Sequence, residues 1–279
     1  MVMSVNMGTV RDRTTEFLGD HFRALFPIAL LAIFVPQAVG DVLQLSADSI
    51  GQGMVQVIGL LLVLVTLWGQ LAIVAFGLNP DAGRAAAQSE ATRGYGRAVL
   101  VMILVFIAIM VLLIPIFGVL AASGVDLTQL AGGQAQASAP DISPGAGAFI
   151  GLYVLVFLIV VAFVSARLVA LYPAVLAERR GINAIGRSFA ITRGLTWKLI
   201  GVLVLFMIVF AVSAIAARSV FGVIVGLIFP AQGTLTPATV TGAIFGALVS
   251  TAFSLIISAF SAKLYRAVVP ASAGAALSA

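Results

Sequence analysis

The segment from residue 178 to residue 198 has the highest density of side chains that could do chemistry. Guanidinium groups suit phosphate recognition, because each presents a planar fork of N–H donors to phosphate oxygens. Held at headgroup level, such a segment would attract anionic lipids. A solvated turn that sets the membrane topology explains the same residues, so both interpretations stay open. The segment contains Glu178, Arg179, Arg180, Arg187, Arg193, Trp197 and Lys198.

Arg167 is a further candidate, because it lies inside a run of apolar residues. A charge at the bilayer centre costs about 2.5–3.5 kcal/mol on insertion scales, and intramembrane charges often serve a function. The residue could anchor its helix, with the guanidinium reaching headgroups or a carboxylate such as Glu178. It could instead contact a lipid phosphate or a substrate. The sequence leaves these alternatives open.

The residue types that several kinds of catalysis require are scarce. His21 is the only histidine and the chain has no cysteine, which excludes thiolate chemistry and histidine-rich zinc sites. No glycine-rich loop with Lys-Ser or Lys-Thr is present to cradle a nucleotide phosphate. Asp41 is the one carboxylate that approaches a membrane interior position, which is too little for a proton or sodium relay. We therefore predict a protein that is not an enzyme and has neither a metal site nor a cofactor.

The apolar content of the chain predicts the elements that must position these residues. Apolar residues make up 62% and charged residues 9% of the 279 residues, whereas soluble domains contain about 45–50% and about 25%. The apolar residues form runs long enough to cross about 30 Å of hydrocarbon. The sequence therefore predicts an all-α polytopic membrane protein, a single integral membrane domain over residues 1–279. Its six predicted spans are about 23–45, 54–77, 97–121, 147–172, 197–217 and 240–264.

The basic residues are distributed unevenly between the two predicted sides of the membrane. All but two of the 15, Arg167 and Arg218, flank the spans on one side. The positive-inside rule then predicts cytoplasmic N- and C-termini. Arginine outnumbers lysine thirteen to two, which is typical of GC-rich bacterial genomes, so we expect a bacterial inner membrane. We attribute the net charge of +5 to basic residues that set the membrane topology and contact anionic lipids, and we do not expect a nucleic-acid partner.

Two segments on the predicted outer side differ in character. Residues 122–146 are small, polar and rich in proline and glycine, which predicts a flexible outer loop. Residues 219–229 are apolar but too short to span a membrane alone. They either extend the fifth helix or fold back as a re-entrant piece.

Short motifs recur along the chain and predict a threefold internal repeat. Residues 19–25 and 194–200 share glycine, aromatic, basic and aliphatic positions, and residues 92–97 share part of that pattern. A second motif, a small residue followed by a polar one and leucine, lies in each even-numbered span. It occupies residues 69–71, 166–168 and 262–264.

Amphipathic segments precede the odd-numbered spans. Residues 10–25 carry an apolar stripe at helical spacing, as do residues 182–189, whereas residues 80–96 are alanine-rich and fit the pattern weakly. Short helices with one apolar and one basic face lie in the plane of the membrane interface. Each predicted repeat unit is thus a cytoplasmic interfacial helix followed by two spans. His21 fits such an interface position.

The sixth span carries a small residue at every fourth position. Such a stripe lets helix backbones approach closely, and its serines can hydrogen-bond across the contact. A polar permeation path is the functional alternative to helix packing. The stripe consists of Gly242, Gly246, Ser250, Ser254, Ser258 and Ala262.

The segment 172–201 also resembles a known family, the membrane domain of glycerophosphoryl diester phosphodiesterases and related bacterial membrane proteins. The resemblance rests on a proline after a span, a Glu-x-x-Gly turn, an Arg-Ser pair and Gly-x-x-Trp at the next helix. These are Pro173, Glu178 to Gly181, Arg187-Ser188 and Gly194 to Trp197. We do not expect the phosphodiesterase activity, since in such relatives it resides in a soluble barrel that this chain lacks.

These observations leave more than one class of function open. A non-enzymatic inner-membrane protein that binds anionic lipid or a protein partner in envelope homeostasis is the first prediction. A lipid or small-solute transporter is the alternative, and an enzyme acting on phospholipids is a third. The candidate headgroup-binding or partner-binding residues are Arg167, Glu178, Arg179, Arg180, Arg187, Arg193, Trp197 and Lys198.

Overall fold

The computed structural model describes residues 6–122, 143–231 and 233–269. Over these ranges the chain forms helices and no strand. The predicted all-α class and six spans are confirmed, because six helices within these ranges are long and apolar enough to cross a membrane. Most of the predicted outer loop, residues 123–142, lies outside the described residues. The six are Met7–Leu45, Gln52–Leu78, Pro80–Ala122, Pro144–Ala177, Thr196–Ile228 and Pro237–Val268.

The individual helices are labelled here in chain order. The first half contains α1 (Met7–Ala29), α2 (Val35–Leu45), α3 (Ala47–Ile50), α4 (Gln52–Leu78) and α5 (Gly83–Ala122). The second half contains α6 (Pro144–Leu168), α7 (Leu171–Ala177), α8 (Asn183–Ile191), α9 (Thr196–Ile228) and α10 (Pro237–Val268). Side-chain oxygens begin three of them: Asn6 caps α1, Ser143 caps α6 and Thr236 forms a capping box on α10.

A π-helical turn, Leu30–Phe34, joins α1 to α2. Pro36 has no N–H, and its ring would crowd the carbonyl of Ala32 in an unbroken α-helix. The wider turn before Pro36 relieves this crowding. It also brings the Ala32 carbonyl against α4, because a Cβ on Gly69 would lie only 3.0 Å from that oxygen. Gly69, from the second repeated motif, is therefore the point at which α4 approaches the π turn.

The segments predicted as separate interfacial helices differ from one another in the structure. Residues 10–25 make up most of α1, which leads directly into the first span, and residues 83–96 are the first turns of α5, which contains the third span. No glycine or proline break separates them from those spans in the way that a left-handed Gly194, with φ +86°, separates α8 from α9. Among the described residues, a separate α-helix precedes only the fifth span, while a three-residue 3-10 helix, Pro80–Ala82, precedes α5.

Residues 219–229 continue the fifth span. Helix α9 runs without interruption from Thr196 to Ile228, so these residues extend it and do not fold back. At about 1.5 Å per residue, a helix of 33 residues is longer than the hydrocarbon layer needs.

The core lies where α1, α4, α7 and α10 meet the first half of α5. Leu25, Ile33, Leu71 and Ile73 are almost completely buried there, and Leu264 is buried in an adjoining cluster. In contrast, the second half of α5, together with α6 and α9, exposes long apolar surfaces. Within the most apolar stretch of Pro144–Ala177 no residue is buried. Exposing such apolar surfaces to water is unfavourable, whereas contact with lipid tails is not. The outer helices therefore form the lipid-facing side of the bundle.

The small-residue stripe of α10 serves two purposes. At one end, a Cβ on Gly242 would lie 3.0 Å from the Arg218 carbonyl oxygen, so α9 packs closely there. At the other, Ala262 packs against Gly77 of α4. Between these points Ser250 and Ser254 line a cavity. Close packing accounts for both ends of the stripe, and the middle faces open space.

Candidate functional site

Most of the predicted site residues lie at one end of the bundle, called here the α8 end. Helix α10 reaches α7 there, since the Tyr265 hydroxyl donates to Glu178 Oε1 at 2.9 Å. It reaches α4 there too, since Lys263 Nζ donates to the Gly77 carbonyl at 3.2 Å. The opposite end, called the far end, is marked by the ion pair of Asp41 and Arg218.

Glu178 is the centre of a buried polar cluster at the α8 end. The residue directly follows α7, and its side chain is 3% exposed. Arg187 Nε of α8 donates to Oε1 at 2.7 Å. Arg180 Nε lies 3.1 Å from Oε2 without making an aligned hydrogen bond. A buried carboxylate is tolerated when its charge is matched and hydrogen-bonded, so this cluster ties α7, α8 and α10 together.

Arg167 lies near the end of α6 and contacts α8. Its Nη1 donates to the Phe189 carbonyl at 2.9 Å, and its backbone carbonyl accepts from Ser188 Oγ at 2.6 Å. The guanidinium carbon lies 5.2 Å from the ring centroid of Phe163 and 5.8 Å from that of Phe189, a cation–π distance. Its Nε is buried and has no partner among the described residues.

The suggested pairing of Arg167 with Glu178 is wrong. Glu178 is paired by Arg187 and Arg180, and the structure as described gives Arg167 no carboxylate. Its charge is instead stabilised by a backbone carbonyl and two aromatic rings. Helix α8 and Phe163 therefore supply the contacts for which a carboxylate such as Glu178 was one of the alternatives.

The remaining candidates are exposed. The side chains of Arg193 and Lys198 are exposed and make no hydrogen bond or ion pair within the described ranges, and Trp197 beside them is 83% exposed. Arg179 adopts a left-handed backbone conformation with φ +51°, and its Nη2 lies 3.9 Å from Glu90 Oε1. The eight predicted residues are thus brought to one region but have different surroundings.

Sequence reasoning missed three partners of the predicted residues. Tyr265, Phe163 and Phe189 provide the hydroxyl and the rings described above. Phe189 was recognised as part of an apolar stripe, but its contact with Arg167 depends on how α8 packs on α6. Tyr265 directly follows Ala262-Lys263-Leu264, and no spacing rule links it to Glu178.

An apolar cleft of about 240 Å³ separates α5 from α6. Leu104, Ala108 and Leu112 line it on α5, and α6 lines the opposite wall. Towards the far end, the Tyr153 hydroxyl bonds the Leu112 carbonyl at 2.7 Å. At the α8 end, the cleft is closed by Phe189, the same ring that lies against the Arg167 guanidinium. The apolar cleft thus ends at a ring that packs against a cation.

Comparison of the chain with protein-family models, with curated proteins and with solved structures finds no match. The resemblance to the phosphodiesterase membrane-domain family therefore remains a prediction. Function has to be argued from the geometry of the site.

Proposed function

We propose that the protein is a non-enzymatic multi-pass protein of a bacterial inner membrane that binds anionic phospholipid at its α8 end. The observation that carries the proposal is the apolar cleft that Phe189 closes, because the Phe189 ring also lies against the Arg167 guanidinium. An acyl chain fills such a cleft, and its phosphate then lies near a guanidinium that donates only one of its N–H groups, from Nη1, to the residues described. In this proposal, lipid binding serves envelope homeostasis.

The exposed cations of the α8 end support the same proposal. Within the part of the chain that the structure describes, no carboxylate engages Arg193 or Lys198, so their charges are available to headgroups. Each basic residue near an anionic surface contributes about 1 kcal/mol. Trp197, almost fully exposed between them, has the amphipathic ring that is enriched at membrane interfaces. The charge bias supports a cytoplasmic location for this end and for both termini.

We also infer that three related units build the chain. The small residues of the second motif, Gly69, Ala166 and Ala262, are all buried at helix contacts. In the last two units, the following cation lies over a phenylalanine of the next unit around the bundle. Arg167 lies over Phe189, and Lys263 Nζ lies 4.0 Å from the ring centroid of Phe17. This cyclic relation supports a pseudo-threefold arrangement.

The proposal is tested by filling the cleft. Ala108→Phe places a ring between α5 and α6, whereas Ile107→Phe places the same ring on the lipid-facing side, where Ile107 is 51% exposed. Native mass spectrometry of both variants, released from nanodiscs containing phosphatidylglycerol, counts the retained lipids. We expect Ala108→Phe to retain less phosphatidylglycerol than wild type, and Ile107→Phe to retain as much. Equal retention by all three proteins would reject the cleft as the binding site.

A transporter is the second candidate, favoured by a lateral crevice at the far end. The crevice has a volume of about 540 Å³ and is lined by α2, α4, α9 and α10. Polar groups at membrane depth commonly mark a substrate path. Exchange of labelled lipid between the leaflets of proteoliposomes distinguishes transport from binding.

A further inference from the structure

The far-end crevice is formed because α4 and α9 both pack against α10 but barely contact each other. Helix α2 lies behind the opening and provides part of its wall. Met207 and Val63 line the crevice and are also among the exposed apolar residues. The crevice therefore opens sideways, towards the lipid, and not only towards the aqueous side.

Opposite charges meet at the far end of this crevice. Arg218 Nη2 of α9 donates to Asp41 Oδ2 of α2 at 2.7 Å. Asp41 is 18 positions after Arg23 in the sequence, which corresponds to about 27 Å of helix. This distance places the pair near the second boundary of a hydrocarbon layer of about 30 Å. Both side chains are partly exposed, at 53% for Arg218 and 34% for Asp41.

The position of Arg218 depends on a glycine of the small-residue stripe. A Cβ on Gly246 would lie less than 3 Å from the Cγ of Arg218 and closer still to its Nε. The guanidinium thus crosses α10 directly over Gly246 to reach Asp41. The stripe therefore has a role beyond the approach of two backbones, since it holds one member of the charge pair in place.

The rest of the lining combines polar and apolar groups. Gln37 Oε1 is buried beside the crevice and accepts no hydrogen bond within the described residues. Ser250 and Ser254 add hydroxyl groups to the wall. Deeper in the crevice, Phe206 and Phe253 make the wall apolar. A ligand that matches this lining has a polar head and an apolar body.

We propose that this crevice binds the zwitterionic headgroup of a phosphatidylethanolamine-like lipid from the far-side leaflet. The lipid phosphate pairs with Arg218, and the ammonium group pairs with Asp41. The acyl chains leave through the lateral opening along Phe206 and Phe253. A lipid with an anionic headgroup satisfies Arg218 but is repelled by Asp41, so the pair selects for a headgroup that carries both charges.

The decisive control is exchange of the two charges. Asp41→Arg combined with Arg218→Asp keeps an ion pair between α2 and α9, but it reverses the order of charges that a lipid meets. A phosphate is always closer to the acyl chains than the ammonium, so a reversed site does not fit the same lipid. Asp41→Asn alone removes the charge that faces the ammonium.

Binding is measured by native mass spectrometry of detergent-solubilised full-length protein, titrated with short-chain phosphatidylethanolamine, phosphatidylglycerol or free phosphoethanolamine. Charge-assisted hydrogen bonds contribute enough that Asp41→Asn should weaken phosphatidylethanolamine binding at least about tenfold. The exchange variant should keep wild-type thermal stability and show the same loss. Free phosphoethanolamine should bind far more weakly than the lipid, because it lacks the apolar body.

Two glycine substitutions provide a test that removes no charge. Gly246→Ala displaces the Arg218 side chain, whereas a Cβ on Gly226, at the same helix pair, makes only ordinary contact at 3.5 Å from Ala238. Gly246→Ala should therefore weaken binding of phosphatidylethanolamine, and Gly226→Ala should not.

Two outcomes would overturn the proposal. Wild-type affinity of the exchange variant for phosphatidylethanolamine would mean that the ion pair only links α2 to α9 and does not bind the headgroup. An unchanged ratio of phosphatidylethanolamine to phosphatidylglycerol binding in Asp41→Asn would mean that the ammonium is not recognised. Neither outcome bears on the cleft at the α8 end, which shares no lining residue with the crevice.

Discussion

At the scale of single residues, the cations of the α8 end fall into two kinds. Arg187 compensates the buried Glu178 carboxylate, and its loss leaves that charge with only Arg180 as a guanidinium partner. Arg193 is exposed and does not compensate a buried charge. The sequence places both in one basic segment and cannot separate them, because their roles depend on where α7 ends relative to α8.

Arg187→Gln should therefore destabilise the protein, and Arg193→Gln should not. Removing one partner of a buried pair costs about 3–5 kcal/mol; we expect about 2 kcal/mol here, since Arg187 is 31% exposed and Arg180 remains. The exposed substitution should stay within about 0.5 kcal/mol of wild type. Thermal unfolding of both variants in one detergent measures the difference. Equal stabilities would contradict the assigned role of Glu178.

Substitutions of Arg167 distinguish a role in anchoring the helix from a role in phosphate binding. Arg167→Lys keeps a cation that can donate to the Phe189 carbonyl, but a point charge does not reproduce the guanidinium fork. We expect the lysine variant to fold normally and to lose retained phosphatidylglycerol, and Arg167→Leu to give a lower folded yield as well. If the lysine variant retains as much lipid as wild type, Arg167 is an anchor and nothing more.

At the scale of the helices, composition predicted the spans well but not where each helix begins. Hydrophobic length identifies residues that cross lipid, and the spans follow from it. The continuity of residues 10–25 with α1 depends on the absence of a break, and the π turn at Leu30–Phe34 depends on Pro36. The contact of Gly69 with this turn depends on tertiary packing. The sequence therefore reveals the repeated motif but not the packing role of its glycine.

Gly69→Ala should destabilise the contact between α4 and the π turn. The added methyl group would lie 2.8 Å from Ala32 Cβ and 3.0 Å from its carbonyl oxygen, and overpacking of this kind costs about 1–3 kcal/mol. Gly118→Ala on α5 is the matched control, since it meets nothing within 4 Å. Alanine there should be neutral or stabilising. The unfolding temperature of Gly69→Ala should therefore fall below that of wild type, whereas that of Gly118→Ala should stay the same or rise.

At the scale of the whole molecule, the charge distribution favours one orientation in the membrane. The α8 end carries the dense basic segment, and the far end carries Arg218 with its partner Asp41. The sequence could predict this asymmetry, because topology depends on charges that flank spans. It could not predict that α4 and α9 leave a crevice between them, since that depends on how both helices pack on α10.

Orientation is tested by single-cysteine labelling, for which the chain is suited because it has no cysteine. A cysteine at Gln134, outside the described residues but within the predicted outer loop, should react with an impermeant reagent added from outside the cell. A cysteine at Ile182 should react only after the membrane is opened. The reverse pattern would place both termini outside.

Binding of anionic lipid at the α8 end is the central claim, and a salt-dependent titration tests it most directly. The measurement is the affinity of a soluble short-chain phosphatidylglycerol for wild type and for the double variant Arg193→Gln with Lys198→Gln. Two surface cations should contribute up to about 2 kcal/mol, or roughly thirtyfold in affinity. The loss should shrink in high salt, because screening shortens the reach of each charge. Equal affinity of the two proteins at both salt concentrations would contradict the claim.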